Sequence, residues 1–119
     1  MTATILVVED NVSIADTACE LLRSQNYEAI AAQNSQNAIV ILNKDKVDLV
    51  FTDVILGIES ELDGIKLAYY VRRHFPHIPV LLTTAYSEEI ANTAGLHWEV
   101  LSKPYTFKQL CDTIERLLN

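Results

Sequence analysis

Four polar clusters stand out in the 119 residues, each directly behind a short apolar run: Glu9-Asp10, Thr52-Asp53, Thr83-Thr84-Ala85 and Ser102-Lys103-Pro104. Their residue types suit phosphoryl transfer. An aspartate can act as nucleophile. Neighbouring carboxylates repel unless a cation neutralises them, and oxygen-only ligation with room for water suits Mg²⁺. A threonine hydroxyl can hydrogen-bond a phosphoryl oxygen, and a lysine supplies a compact positive charge. Asp53 is then the expected nucleophile.

These clusters are useful only if the chain gathers them. The apolar runs are Ile5–Val8, Tyr27–Ala31, Val47–Phe51, Val80–Leu82 and Val100–Leu101, and several lack polar alternation, as strands covered on both faces do. Helical spacing fills the intervals. Ile14, Ala18, Leu21 and Leu22 mark a first helix ended near Asn26, and Ser35 is expected to cap a second carrying Ala38, Ile41 and Leu42. Leu67, Val71 and Phe75 mark a third that stops before Pro76. Ser87–Ile90 opens a short fourth ended near Gly95, and Thr106 with Gln109 forms a capping-box pattern ahead of Leu110, Ile114, Leu117 and Leu118. Five strand–helix repeats imply a doubly wound α/β unit with a parallel sheet. In such sheets ligands bind beyond the carboxyl ends of the strands, where the four clusters lie.

Composition narrows the function further. The formal charge of −7 opposes direct nucleic-acid binding, and no run approaches the ~20 apolar residues of a membrane span. The start shows no signal-peptide pattern. Cys19 and Cys111 lack metal or redox spacing and are expected as buried free thiols in a cytoplasmic protein. His74, His77 and His97 are expected at the surface, without zinc spacing. Trp98 and Tyr105 are expected in packing, with Tyr105 bordering the site.

Over essentially its whole length the chain resembles the receiver domains of bacterial response regulators. The matches are Glu9-Asp10, Asp53, Thr84-Ala85, Lys103-Pro104, each at its own strand end, and Asp63-Gly64 opening the third helix. The resemblance implies a flavodoxin-like (βα)5 fold with strand order 2-1-3-4-5, one domain over residues 1–119 and no output domain. It implies a switch rather than an enzyme. Asp53 would accept a phosphoryl group from a phosphohistidine of a sensor histidine kinase or a histidine phosphotransfer protein, and an effector would read the result. Glu9, Asp10, Asp53 and the Ile55 main-chain carbonyl would hold Mg²⁺, with Mn²⁺ as a substitute. Lys103 would pair with Asp53 and later with a phosphoryl oxygen. Thr84 would hydrogen-bond the phosphoryl group, Ala85 supports it, and Pro104 would follow a cis bond that fixes Lys103. The unit is expected as a monomer or weak homodimer.

Three departures from the family matter. Val100 stands where an aromatic switch residue is common, three positions before the lysine. The loop from Leu56 to Asp63 is long and lacks the usual proline, and the stretch from Ala85 to Glu99 is short. Ile55 and Tyr86, two positions beyond Asp53 and Thr84, are expected to hinder attacking water and prolong the phosphorylated state.

Other classes fit less well. A haloacid-dehalogenase-like phosphatase wants a second aspartate where Ile55 stands. A flavodoxin-like cofactor carrier wants a glycine- or hydroxyl-rich cradle, which Asp10-Asn11-Val12-Ser13 does not supply. A degenerate docking module would lack part of the matched set, and here the set is complete. Thr83 competes with Thr84 but should face the opposite side of its strand.

Overall fold

The computed structural model describes residues 2–56, 63–85 and 98–119. Strands β1 (Thr4–Val8), β2 (Glu28–Ala32), β3 (Leu49–Asp53), β4 (Val80–Thr84) and β5 (Glu99–Ser102) form one parallel sheet. Their order is β2-β1-β3-β4-β5, as expected. Around it lie α1 (Val12–Ser24), α2 (Ser35–Lys44), α3 (Asp63–His74) and α4 (Phe107–Leu118). The short helix expected from Ser87 to Gly95, residues 57–62 of the long loop, Tyr86 and His97 lie outside the described residues.

The two faces of the sheet divide the core. Ile5, Val7, Leu49, Phe51 and Leu81 meet α1 and α4 through Ala18, Cys19, Leu22, Leu110 and Ile114. The alternate residues Leu6, Val8 and Val50 meet α2 and α3 through Ala38, Leu42, Leu67 and Val71. A third cluster joins Val54, Ile65, Ala68, Leu82 and Trp98. Both sides of each central strand are covered, which is why these runs read as continuously apolar.

Helix ends set where the strand-end loops begin. Asn11 accepts the Ile14 N–H at 3.1 Å and caps α1, so Glu9 and Asp10 are held between β1 and a helix N-terminus. Asn26 adopts φ 70°, the left-handed conformation expected after α1. The cap of α2 is Asn34 rather than Ser35, because the Asn34 side-chain Oδ1 accepts the Asn37 N–H at 2.8 Å. Thr106 and Gln109 make the full capping box of α4. α3 ends at His74, with Phe75 just outside it ahead of Pro76.

Some apolar positions are not inward. Ile14 and Leu21 of α1 are exposed, while Ala15, Ala18, Cys19 and Leu22 are buried. Ile14 and Leu21 line a groove of about 340 Å³ with Ser13, Thr17, Tyr105 and Phe107. Cys19 is a buried free thiol, but Cys111 is only half-buried. Among the described residues no helix is long and apolar enough to cross a membrane.

Candidate phosphoryl-transfer site

Strand register assembles the site. Val8 lies beside Thr52, Asp53 beside Thr83, and Thr84 beside Ser102, so the clusters behind β1, β3, β4 and β5 meet at one sheet edge. At its centre Lys103 Nζ contacts Asp53 Oδ2 at 2.5 Å, across 50 positions of sequence. The Asp53 side chain is 12% exposed and that of Lys103 38%. The other carboxylate oxygen, Oδ1, accepts the Ile55 N–H at 3.1 Å. Asp53 is thus held on one oxygen by a cation and on the other by a neutral N–H donor.

Glu9 is buried, and its Oε2 finds no hydrogen-bond partner. Its carboxyl is pushed up from the ordinary 4.5 to about 7, first by burial and then by the Asp53 carboxylate, with Asp10 adding and Lys103 opposing. A cation beside Glu9 would relieve both causes. Asp10 is exposed beside it. Among the described residues no three carboxylate, imidazole or thiol side chains are already drawn into a metal cage. That is compatible with Mg²⁺, which commonly takes one or two carboxylates and keeps several waters. The donor set and the orphaned oxygen of Glu9 fit such an ion.

The backbone behind Lys103 is also fixed. Its N–H donates to the Thr84 carbonyl at 3.0 Å, and the Lys103–Pro104 peptide is cis, as the resemblance implied. Thr84 is buried at the end of β4, followed by the exposed Ala85. Thr83 is the threonine level with Asp53. Its hydroxyl donates to the Leu101 carbonyl at 2.9 Å, and it shares a cavity of about 20 Å³ with Glu9, Asp53, Lys103 and Tyr105.

Tyr105 packs edge-on against Phe51 with ring centroids 5.9 Å apart. Burial, then Glu9 and Asp53, raise its phenol above the usual value. It lines both the small cavity and the groove beside α1. Trp98 lies 5.3 Å from the Tyr69 ring, with the Arg72 guanidinium 3.8 Å over its face. Val100 is half-buried against the cluster that contains Val54 and Trp98. His74 and His77 are exposed.

Thr52 and Gly64 contact the site in ways residue patterning did not reveal. The Thr52 hydroxyl donates to the Asp53 carbonyl at 2.9 Å, and the Gly64 N–H to the Val54 carbonyl at 3.0 Å. Thr52 read only as the neighbour of Asp53 in a strand-end cluster, and Gly64 only as part of a helix-opening pair. Nothing local in the chain says which backbone a helix will press against.

Comparison with known proteins agrees with this arrangement. The family model described as the response regulator receiver domain matches residues 5–115. The response regulator protein FleR of Pseudomonas aeruginosa is 29% identical over 119 residues, covering 98% of this chain. The transcriptional regulatory protein ZraR of Escherichia coli K12 is 34% identical over 119 residues, covering 96%. The chain spans only 24% and 26% of those two proteins' lengths. Among solved structures, the response regulator TrrA of Thermotoga maritima, in complex with Mg²⁺-BeF, superposes with a TM-score of 0.86 at 26% identity, covering 98% of this chain and 100% of that one. Fold, strand-end chemistry and family model converge: the chain belongs to the response regulator receiver domain family, the phosphorylation-dependent switches of two-component signalling.

Proposed function

We propose that this receiver unit, taken over residues 1–119, accepts a phosphoryl group onto Asp53 from a phosphohistidine of a sensor kinase or a histidine phosphotransfer protein. The observation that carries this reading is the 2.5 Å contact between Lys103 and Asp53, in a cavity shared with Glu9, whose Oε2 has no hydrogen-bond partner. An Asp53 oxygen forms the new O–P bond while the donor's N–P bond breaks, and the imidazole leaves with the electron pair. Lys103 keeps the carboxylate in place and then offers its charge to a phosphoryl oxygen. Glu9, Asp10, Asp53 and the Ile55 carbonyl would hold Mg²⁺, or Mn²⁺ in its place. When bound, that ion neutralises the gathered negative charge and orients the phosphoryl group. The Mg²⁺-BeF complex of the Thermotoga protein supports this choice of ion.

Thr84 hydrogen-bonds the phosphoryl group in this reading. Its carbonyl already accepts the Lys103 N–H, so a shift at either residue is felt by the other. Ala85, exposed behind Thr84, presents only a methyl group there, and Pro104 follows the lysine. With Val100 at the usual aromatic position, no swinging ring there can report the change to an effector. The free thiols Cys19 and Cys111 suit a reducing, cytoplasmic setting.

The test is incubation with Mg²⁺ and a small phosphodonor, followed by intact mass. A single adduct, absent in Asp53→Asn and suppressed by a chelator, is the expected result. Multiple turnover of a phosphoester without an adduct would favour a phosphatase. No adduct with any donor would leave a docking module.

A further inference from the structure

We infer that Gly64 and Thr52 are positioning residues for the phosphoryl acceptor, clamping the Asp53–Val54 backbone so that the Asp53 carboxylate meets Lys103 and the Ile55 N–H. This rests on the reading of Asp53 as acceptor. A Cβ added at Gly64 would lie 2.0 Å from the Asp53 carbonyl oxygen, 2.9 Å from the Asp53 carbonyl carbon and 2.8 Å from the Val54 Cα. All three are main-chain atoms, so no flexible side-chain end can swing aside. The constraint on Gly64 is one of space: the first turn of α3 rests directly on the peptide that carries the acceptor.

Hydrogen bonds complete the clamp. On one side the Gly64 N–H holds the Val54 carbonyl at 3.0 Å, and on the other the Val54 N–H donates to the Thr83 carbonyl at 3.1 Å. The Asp53 carbonyl takes the hydroxyl of the fully buried Thr52 at 2.9 Å. Just above, the carboxylate makes its contacts with Ile55 and Lys103. A larger residue at 64 must either lift α3 or push the Asp53 peptide. Lifting is opposed by Ile65, Leu67, Ala68 and Val71, all buried on the inner face of that helix. The displacement therefore falls on Asp53.

Two readouts in Gly64→Ala, Thr52→Val and Leu42→Ala test the clamp. Leu42 is a buried α2 residue outside the site and serves as a control for lost stability alone. The first readout is the rate of phosphoryl uptake per folded molecule, from a small phosphodonor with Mg²⁺. Misplacement of reacting groups by an ångström costs about 100-fold, the loss expected in Gly64→Ala. Thr52→Val keeps its shape and loses one hydroxyl, so about fivefold is expected, the rate equivalent of one hydrogen bond. Leu42→Ala should keep the wild-type rate.

The second readout needs no phosphodonor. The amide proton resonance of Ile55 reports its hydrogen bond to Asp53 and should move in Gly64→Ala and Thr52→Val but not in Leu42→Ala. If Gly64→Ala does not fold, Thr52→Val decides alone by the same two measurements. Rates and Ile55 resonances that match the Leu42→Ala control would overturn the clamp. A wild type that takes up no phosphoryl group would instead sink the acceptor reading, and the Ile55 resonance would still judge the clamp.

Discussion

At the scale of single residues, Glu9 makes the most specific demand on the site. Unfolded, its carboxyl titrates near 4.5, and folded at about 7, so between those values the native state holds the extra proton. The Glu9 contribution to stability is therefore fully present below 4.5 and is lost as pH rises through about 7. Urea midpoints measured without Mg²⁺ across that window should fall with pH, and Glu9→Gln should flatten that part of the profile. A wild-type slope that survives Glu9→Gln would refute the assignment. Mg²⁺ should also bind more tightly as pH rises through the same range, because the proton must leave Glu9 first. Ile55 makes a second demand. Its N–H meets the Asp53 carboxylate, and it is 44% exposed. Polar replacement of both Ile55 and Tyr86 should shorten the phosphorylated lifetime by about tenfold, if hindering water costs it ~1.4 kcal/mol. An unchanged or longer lifetime would remove that role.

Elements set where these residues stand, and they were unequally legible. The capping box of α4 could be read from Thr106 and Gln109 alone, because both partners lie within one turn. Thr106→Ala should lower stability by about 1 kcal/mol in urea unfolding and leave phosphoryl uptake unchanged. A large loss of uptake would mean that α4 positions Lys103 more directly than its contacts suggest. The start of α2 was misplaced by one residue, since Asn34 and Ser35 both can cap and only the geometry of the preceding loop chooses. Ile14 and Leu21 repeat with helical spacing yet stay exposed, because Ala15, Ala18, Cys19 and Leu22 form the face that meets the sheet. Periodicity identifies a helix more firmly than it identifies the buried side. The contact of α3 with Asp53 was hidden for another reason: Gly64 matters through an atom it lacks, and no pattern of side chains records that.

On the scale of the whole molecule, the fold brings one lysine and one aspartate from distant parts of the chain into direct contact. Asp53 and Lys103 are 50 positions apart, and only the parallel sheet order brings β3 and β5 to the same edge through β4. This much was legible from the sequence, because open α/β sheets gather strand ends and each cluster followed its own apolar run. The output route was not, since Val100 removes the common aromatic and the segment before Trp98 was short. The chain carries 16 acidic side chains, and the fold must single out one of them. The direct test is chemical mapping across the full chain after phosphorylation: borohydride reduces an aspartyl phosphate to homoserine, which peptide mass spectrometry locates. Homoserine at position 53 alone is the predicted result. Homoserine at position 10 or another acidic residue, or none in a protein that carries the adduct, would contradict the account.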